Sequence, residues 1–422
     1  MKPENNPSPE HFLELEEAVR HLKNALKGVE ETEICPLLEA TGRISGADVS
    51  SPINVPPFPK SAMDGYAVRS EDVNSATLET PVNLRVIGEL FAGDSVSEKV
   101  SVFTGGNDES FLKNTAFRIM TGSPVPFDYD SVVKQEDTDY GKETVSVYAP
   151  VKKWQNYCKA GEDIQKGSVI LRAGEKINRF HISLLSSTGL VSVKVLRKIK
   201  VSVLSTGSEL TEPGKTLSEG KIYSSIGPLL YSSIIQAGQS VVRMTNIIDD
   251  EERIISSIKM ALLDSDIVIT TGGVSVGKKD YLPSVLDKLG AKVLFSRVKI
   301  QPGTPTTAAV LDGKLILCLS GNPYAAAANF DIYFYNALSV LTGNSSFEVV
   351  KKTAELCSFY EKVNKNRRLV RAFYEDGKVY LPAENHASSV LSNMTKCNAY
   401  LDVPAETLLK TGDKVPVWLM KC

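Results

Sequence analysis

An apolar strand that runs without a break into a glycine-bearing turn is written three times between Val201 and Pro323, and that repetition constrains the fold more than any other feature. Ile267–Tyr281 reads IVITTGGVSVGKKDY, Val201–Gly207 reads VSVLSTG, and Leu315–Pro323 reads LILCLSGNP, followed by a helical AAAANF run from Ala325. In an open parallel sheet the ends of such strands lie along one edge, so the three turns can converge on one ligand. Glycines at Gly272, Gly273 and Gly277 permit tight turns, and the free N–H groups of a following helix suit an anion. The expectation is an enzyme acting on a phosphorylated small molecule.

The surrounding text supports an α/β core. From Val201 to about Leu341 the runs VSVL, DIVIT, KVLF and LILCL alternate with helical segments at 226–237, 251–263, 282–289 and 324–338. Before it, Leu15, Val19, Leu22 and Leu26 recur at helical spacing. A Pro-rich, then strand-like stretch follows from 49 to 162. The last seventy or so residues return to β character, with Asp376-Gly377 between two alternating runs as a hairpin signal. The expected fold class is multi-domain α/β and β: a central α/β domain with a mostly parallel sheet (198–342), a β-rich lobe (49–162) inserted in an N-terminal mixed domain (1–48 plus 163–197), and a small C-terminal β domain (343–422).

Composition narrows the function. A net charge of -2 announces no basic face for nucleic acid or an anionic membrane, so neither is expected as a partner. Six cysteines are scattered without a CxxC pair and four histidines are equally dispersed, which speaks against zinc and for reduced thiols. With no apolar run of membrane-spanning length and a polar start, MKPENNPSPE, the protein is expected in the cytoplasm.

Gly272-x4-Gly277-Lys278 nearly spells a nucleotide-binding P-loop, but Lys279 stands where Ser or Thr is needed to hold Mg²⁺, so an NTPase is rejected. Glu209, Asp249, Asp250 and Asp280 follow the strand ends. Carboxylates beside a phosphate site make sense when a divalent metal sits between them and the phosphate; alternatively each is a solvated acid at a helix start. Asp64 and Asp163 lie in glycine-containing turns between β segments, where backbone hydrogen bonding is the commoner role. In SRVKIQPGTP, alternation puts Arg297, Lys299 and Gln301 on one face, as a cationic wall to the anion site or as a charged edge strand.

SAMDGYAVR, RIMTGSPVP, AGEDI, STGSEL, GGVSVGKKDY, PGTP and SGNP, in this order over nearly the whole chain, resemble the molybdopterin molybdenumtransferase family, whose eukaryotic relative is the C-terminal half of gephyrin. The resemblance implies a molybdopterin-binding type of central domain. It implies insertion of molybdate, with tungstate equally admissible, into adenylylated molybdopterin, releasing AMP and the molybdenum cofactor. It also implies Mg²⁺, an elongated homodimer with the site between subunits, and a molybdopterin adenylyltransferase as a partner. By the same resemblance Asp64 and Thr121 belong to a loop region reaching the partner subunit's site, and Asp163 supports it. Glu209 and Asp249 hold Mg²⁺, while Asp280 lies in the pterin or nucleotide pocket. Gly272, Gly273, Ser275 and Gly277 take the phosphate, Lys299, Gly321 and Asn322 join the cofactor side, and Arg297 and Ser389 serve the oxyanion.

The departures are as specific as the matches. Where the family commonly carries KPGKP, this chain has Gln301-Pro302-Gly303-Thr304-Pro305, and Arg297 stands where another lysine is usual. Ser208 and Ser224 replace acids, and Ile226 replaces an Asn. Two acids and two lysines are lost together, which is close to charge-neutral and marks a coupled variant. Two other readings accompany the transferase: a molybdopterin adenylyltransferase, which usually needs only one domain like Val201–Leu341, and a catalytically weak pterin-binding scaffold, which would not need Asp64, Asp163, Glu209, Asp249 and Asp280.

Overall fold

The computed structural model describes residues 13–96, 112–273, 281–360, 362–382 and 387–421. Six α-helices occur among them: α1 (Leu15–Ala25), α2 (Arg179–Ser187), α3 (Ile226–Gln236), α4 (Glu251–Asp264), α5 (Leu282–Leu289) and α6 (Pro323–Thr342). Among these residues no helix is long and apolar enough to cross a membrane. α1 follows its sequence pattern: Leu15, Ala18 and Leu22 are buried on one face, in the same core as α6. Truncating Leu22 there would cost about 2–5 kcal/mol, the usual range for emptying a filled core site.

The central sheet has six strands: β1 (Lys200–Thr206), β2 (Ser240–Ile247), β3 (Ile267–Thr271), β4 (Lys292–Phe295), β5 (Thr307–Leu311) and β6 (Lys314–Leu319). Their spatial order is β2-β1-β3-β6-β5-β4. β2, β1, β3 and β6 run parallel, and β5 is antiparallel to both β6 and β4, so the sheet is mostly parallel. β1 and β3 read as continuous apolar runs because helices cover both faces. One face packs with α3 and α6, the other with α4 and α5. The three parallel strands β1, β3 and β6 are adjacent, with Ser205 opposite Thr271 and Thr271 opposite Leu319, so their C-terminal ends are level.

The C-terminal β unit closes on itself. Arg367–Glu375 pairs with both Lys378–Tyr380 and Ala399–Val403, and the ring continues through Lys414–Leu419 and Lys351–Leu356. The Asp376-Gly377 turn has φ of 46° and 79°, the pair of positive values that a tight two-residue hairpin requires. Only Ile300–Gln301 of the SRVKIQPGTP segment is strand, and it adds in parallel to Arg367–Arg368 of the C-terminal unit.

Towards the N-terminus, Gly65–Val68, Val82–Leu90, Thr115–Ile119, Ser131–Lys134 and Thr144–Val147 form a five-stranded sheet. Two short pairings tie the chain on either side of it: Thr32–Pro36 with Ser192–Leu196, and Val49–Ser50 with Val169–Leu171.

Candidate functional site

The level ends of β1, β3 and β6 bring the three glycine turns together. Gly272 donates its N–H to Leu319 O at 3.1 Å, and Gly207 donates to Ile247 O at 3.0 Å. Gly272 has φ +84°, and a Cβ on it would lie 2.2 Å from Thr206 O; a Cβ on Gly321 would touch Gly272 Cα at 3.4 Å. The approach of Gly272 to Thr206 is one a side chain would prevent, and Gly321 packs against Gly272 at van der Waals distance.

A cleft of about 940 Å³ opens over this junction. Thr206, Gly207, Gly272, Gly273, Ser320 and Gly321 form its floor. One wall is the start of α3, with Ser224, Ser225 and Ile226; another is the start of α6, with Asn322, Pro323 and Ala325. Neither helix carries an acid in its first turn, so both present uncompensated N-terminal partial charge to an anion. Arg297 and the Pro302–Pro305 turn make a third wall. A smaller hollow of about 540 Å³ on the β-rich lobe, between Arg85, Glu89, Arg118 and Lys142, contains only Arg118 of the motif residues.

Two carboxylates enter the cleft, Glu209 and Asp249. Glu209 folds over Gly207, close enough that a Cβ there would sit 2.8 Å from its oxygens. Asp249 accepts a hydrogen bond from the Ser208 N–H at 3.1 Å. Its neighbour Asp250 is spent differently, accepting from the Arg253 N–H at 2.9 Å as the N-cap of α4. The described residues contain no group of three metal-ligating side chains. Two carboxylates with no soft donor suit a hard cation that keeps most of its water.

The C-terminal unit closes the far side through Ser388. Tyr324 donates its N–H to Ser388 O at 3.1 Å and its hydroxyl to Leu369 O at 2.8 Å. Arg371, fully buried, lies 3.8 Å over the Tyr324 ring and donates to Ala387 O at 2.7 Å, and also to Val390 O and Asn393 Oδ1. Desolvation pulls the Arg371 pKa down and burial pushes that of Tyr324 up.

With this geometry in view, comparison with known proteins is decisive. Residues 13–189 match the MoeA N-terminal region (domain I and II), 202–339 the probable molybdopterin binding domain, and 353–420 the MoeA C-terminal region (domain IV). The molybdopterin molybdenumtransferase of Staphylococcus epidermidis is 35% identical over 413 residues, 96% of this chain and 95% of that protein. That of Bacillus subtilis is 33% identical over 417 residues, 97% and 94%. This chain belongs to the MoeA family of molybdopterin molybdenumtransferases. A crystal structure of the molybdopterin biosynthesis MoeA protein from Pyrococcus horikoshii superposes with a TM-score of 0.81 at 30% identity, covering 98% of this chain and all of that one.

Against the MoeA expectation, Glu209, Asp249, Gly272, Gly273, Arg297, Gly321 and Asn322 all line the one cleft. Ser275, Gly277 and Asp280 lie outside the described residues. Asp64 and Thr121 lie together but away from it: Asp64 Oδ1 accepts from both the N–H and the hydroxyl of Thr121, each at 2.7 Å. Those bonds, the N–H first, hold the Asp64 pKa below its ordinary value. Asp163 is exposed and donates its N–H to Val55 O. Lys299 turns from the cleft to Glu14, at 2.9 Å, because residues 297–299 pair with Leu13 just before α1. The expected wall of two cations therefore places Arg297 alone, of the two, in the cleft. Ser389 is exposed, and its neighbour Ser388 is the lining residue. Thr304 lines the cleft with its hydroxyl donated to Ile300 O at 2.7 Å. The sequence reading missed the hydroxyls of Ser205, Thr206, Thr271 and Ser320, although each adjoins a motif glycine or strand end. It also missed Arg371, which nothing in RRLVRAF distinguishes from the half-buried Arg367 and Arg368.

Proposed function

We propose that the cleft binds adenylylated molybdopterin and molybdate and that the protein inserts the metal with release of AMP. The observation that carries this reading is the convergence of three glycine turns and two helix N-termini beside two carboxylates in one cleft. The turns and helix starts supply fixed backbone dipoles for the phosphates. Mg²⁺ bound by Glu209 and Asp249 would neutralise phosphate oxygens and stabilise the departing nucleotide phosphate. Arg297, beside the Pro302–Pro305 turn, faces the tetrahedral oxyanion, and the hydroxyls of the floor orient the bound groups.

The placement of Asp64 and Thr121 outside the cleft of their own chain supports the proposal that they serve the site of a second subunit in a homodimer. The testing experiment is release of AMP from adenylylated molybdopterin and Mg²⁺, with molybdate, with tungstate and with neither. Molybdate-dependent release is the expected result. Binding of the adenylate without release under any oxyanion would replace the transferase reading with a pterin-binding one.

A further inference from the structure

We propose that Asn329, which lies behind the cleft and is not among its lining residues, is the positioning residue of the oxyanion wall. This inference rests on the reading above and assigns the Pro302–Pro305 turn its support. Asn329 sits in the second turn of α6 and is 1% exposed. Its Nδ2 donates to Ala325 O, one helical turn back, at 2.8 Å and to Pro302 O at 3.0 Å. Both partners are carbonyl oxygens, so the amide can face only one way: an Oδ1 turned toward them would meet two acceptors. The consequence is visible on the other side of the group. Oδ1 of Asn329 is buried and has no hydrogen-bond partner among the described residues. A buried acceptor left unpaired is destabilising, so this arrangement persists only where the two donated bonds and the packing offset it.

Packing completes the lock. Gly303 has φ +101° and rests directly on the carboxamide, so that a Cβ at 303 would fall 1.8 Å from Asn329 Nδ2. From there the connection runs to the cation. Thr306 N–H donates to Gly303 O at 3.0 Å, Thr304 hydroxyl to Ile300 O, and Val298 N–H to Thr304 O at 2.9 Å, next to Arg297. Arg297, Pro302, Gly303, Thr304 and Pro305 on one side and Asn322, Pro323 and Ala325 on the other are all cleft-lining. Asn329 thus joins the two walls, and a two-donor amide is what the task requires. A Thr would satisfy its own helix carbonyl and leave Pro302 unheld; an Asp would bring a carboxylate against two carbonyls.

The test compares wild type with Asn329→Thr and Asn329→Leu in steady-state AMP release, varying molybdate and adenylylated molybdopterin separately, together with hydrogen exchange. For Asn329→Thr the KM for molybdate should rise about tenfold, the equivalent of one lost hydrogen bond, while the KM for the adenylate stays within about twofold. The amides of Val298 and Thr306 should exchange faster, and those of α6 should not. An unchanged molybdate KM with unchanged exchange at Val298 and Thr306 overturns the proposal. So does a uniform loss of kcat and melting temperature in parallel, which would mark a merely structural residue. Should Asn329→Leu fail to fold, Asn329→Thr carries the comparison. A wild type that releases no AMP would overturn the functional reading instead, and the exchange measurement would still decide the role of Asn329.

Discussion

The carbonyl oxygen of Thr206 lies 2.2 Å from the position a Cβ on residue 272 would occupy. Neither backbone can retreat, because β1 and β3 are paired in register up to Ser205 and Thr271. Gly272→Ala would therefore part the two strand ends that form the floor of the cleft and would also strain a φ of +84°. The expected cost is about 1–3 kcal/mol of stability, with near-complete loss of molybdate-dependent AMP release. Urea melts and the release assay on the same preparation check it; an active Gly272→Ala enzyme would mean the floor is not where catalysis occurs.

Asp249 and Asp250 are adjacent, and the structure gives them different work. Asp249→Asn should raise the Mg²⁺ concentration needed for half-maximal AMP release while leaving the melting temperature nearly unchanged. Asp250→Ala should do the reverse, losing about 1 kcal/mol with the cap of α4 and keeping its Mg²⁺ dependence. Magnesium titrations of the two variants distinguish the roles, and identical titration curves would remove Asp249 from the proposed metal site.

Asp64 and Thr121 sit apart from the cleft of their own chain, which leads to a complementation experiment. Asp64→Ala and Glu209→Ala are each expected to be inactive alone. If the site is shared between subunits, a mixture allowed to exchange should recover about a quarter of wild-type activity, because half of the dimers are hybrids and each hybrid holds one intact site. Failure of the mixture to regain activity, with exchange verified by mass spectrometry, would place Asp64 outside the reaction. Separately, Thr121→Val should move the Asp64 carboxyl back toward its ordinary pKa by removing one of its two hydrogen bonds, a change visible by NMR titration.

Much of the lining of the candidate cleft was legible in the sequence because its carriers are short and local. A strand followed by Gly-Gly or Ser-Gly-Asn-Pro announces both an element end and a backbone approach, and in-register parallel pairing does the rest. The hairpin at Asp376-Gly377 was legible for the same reason. Less so were features set by tertiary contact. β5 is antiparallel in an otherwise parallel run, and TTAAVL gives no sign of direction. The end of α6 at Thr342, beyond the 324–338 read from the sequence, was not legible because the helix is buried on nearly all sides and has no polar face to give a period. Lys299 leaves the cleft for Glu14, a partner 285 residues away in sequence. Arg371 and Asn329 are polar residues spent on distant carbonyls, and such pairing is set by long-range packing that spacing along the chain does not encode.

The junction between α6 and the C-terminal unit contains a titratable pair whose behaviour follows from burial. Tyr400, on the strand Ala399–Val403, donates its hydroxyl to Asp331 Oδ2 at 2.6 Å, and desolvation pushes the Asp331 carboxyl up to about 7, the hydrogen bond opposing the shift. A carboxyl with a folded pKa above its unfolded value binds its proton more readily in the folded state. That preference favours folding fully below the unfolded value of 3.8 and is lost as pH rises toward 7. Above that range the folded state holds a charge it would rather be without. The melting temperature of the wild type should accordingly fall between pH 5 and pH 8 by more than that of Asp331→Asn, whose side-chain oxygen can still accept from Tyr400. At pH 8 the variant should be the more stable of the two. Thermal melts of both proteins across that interval check this, and parallel curves would show that Asp331 titrates in its ordinary range.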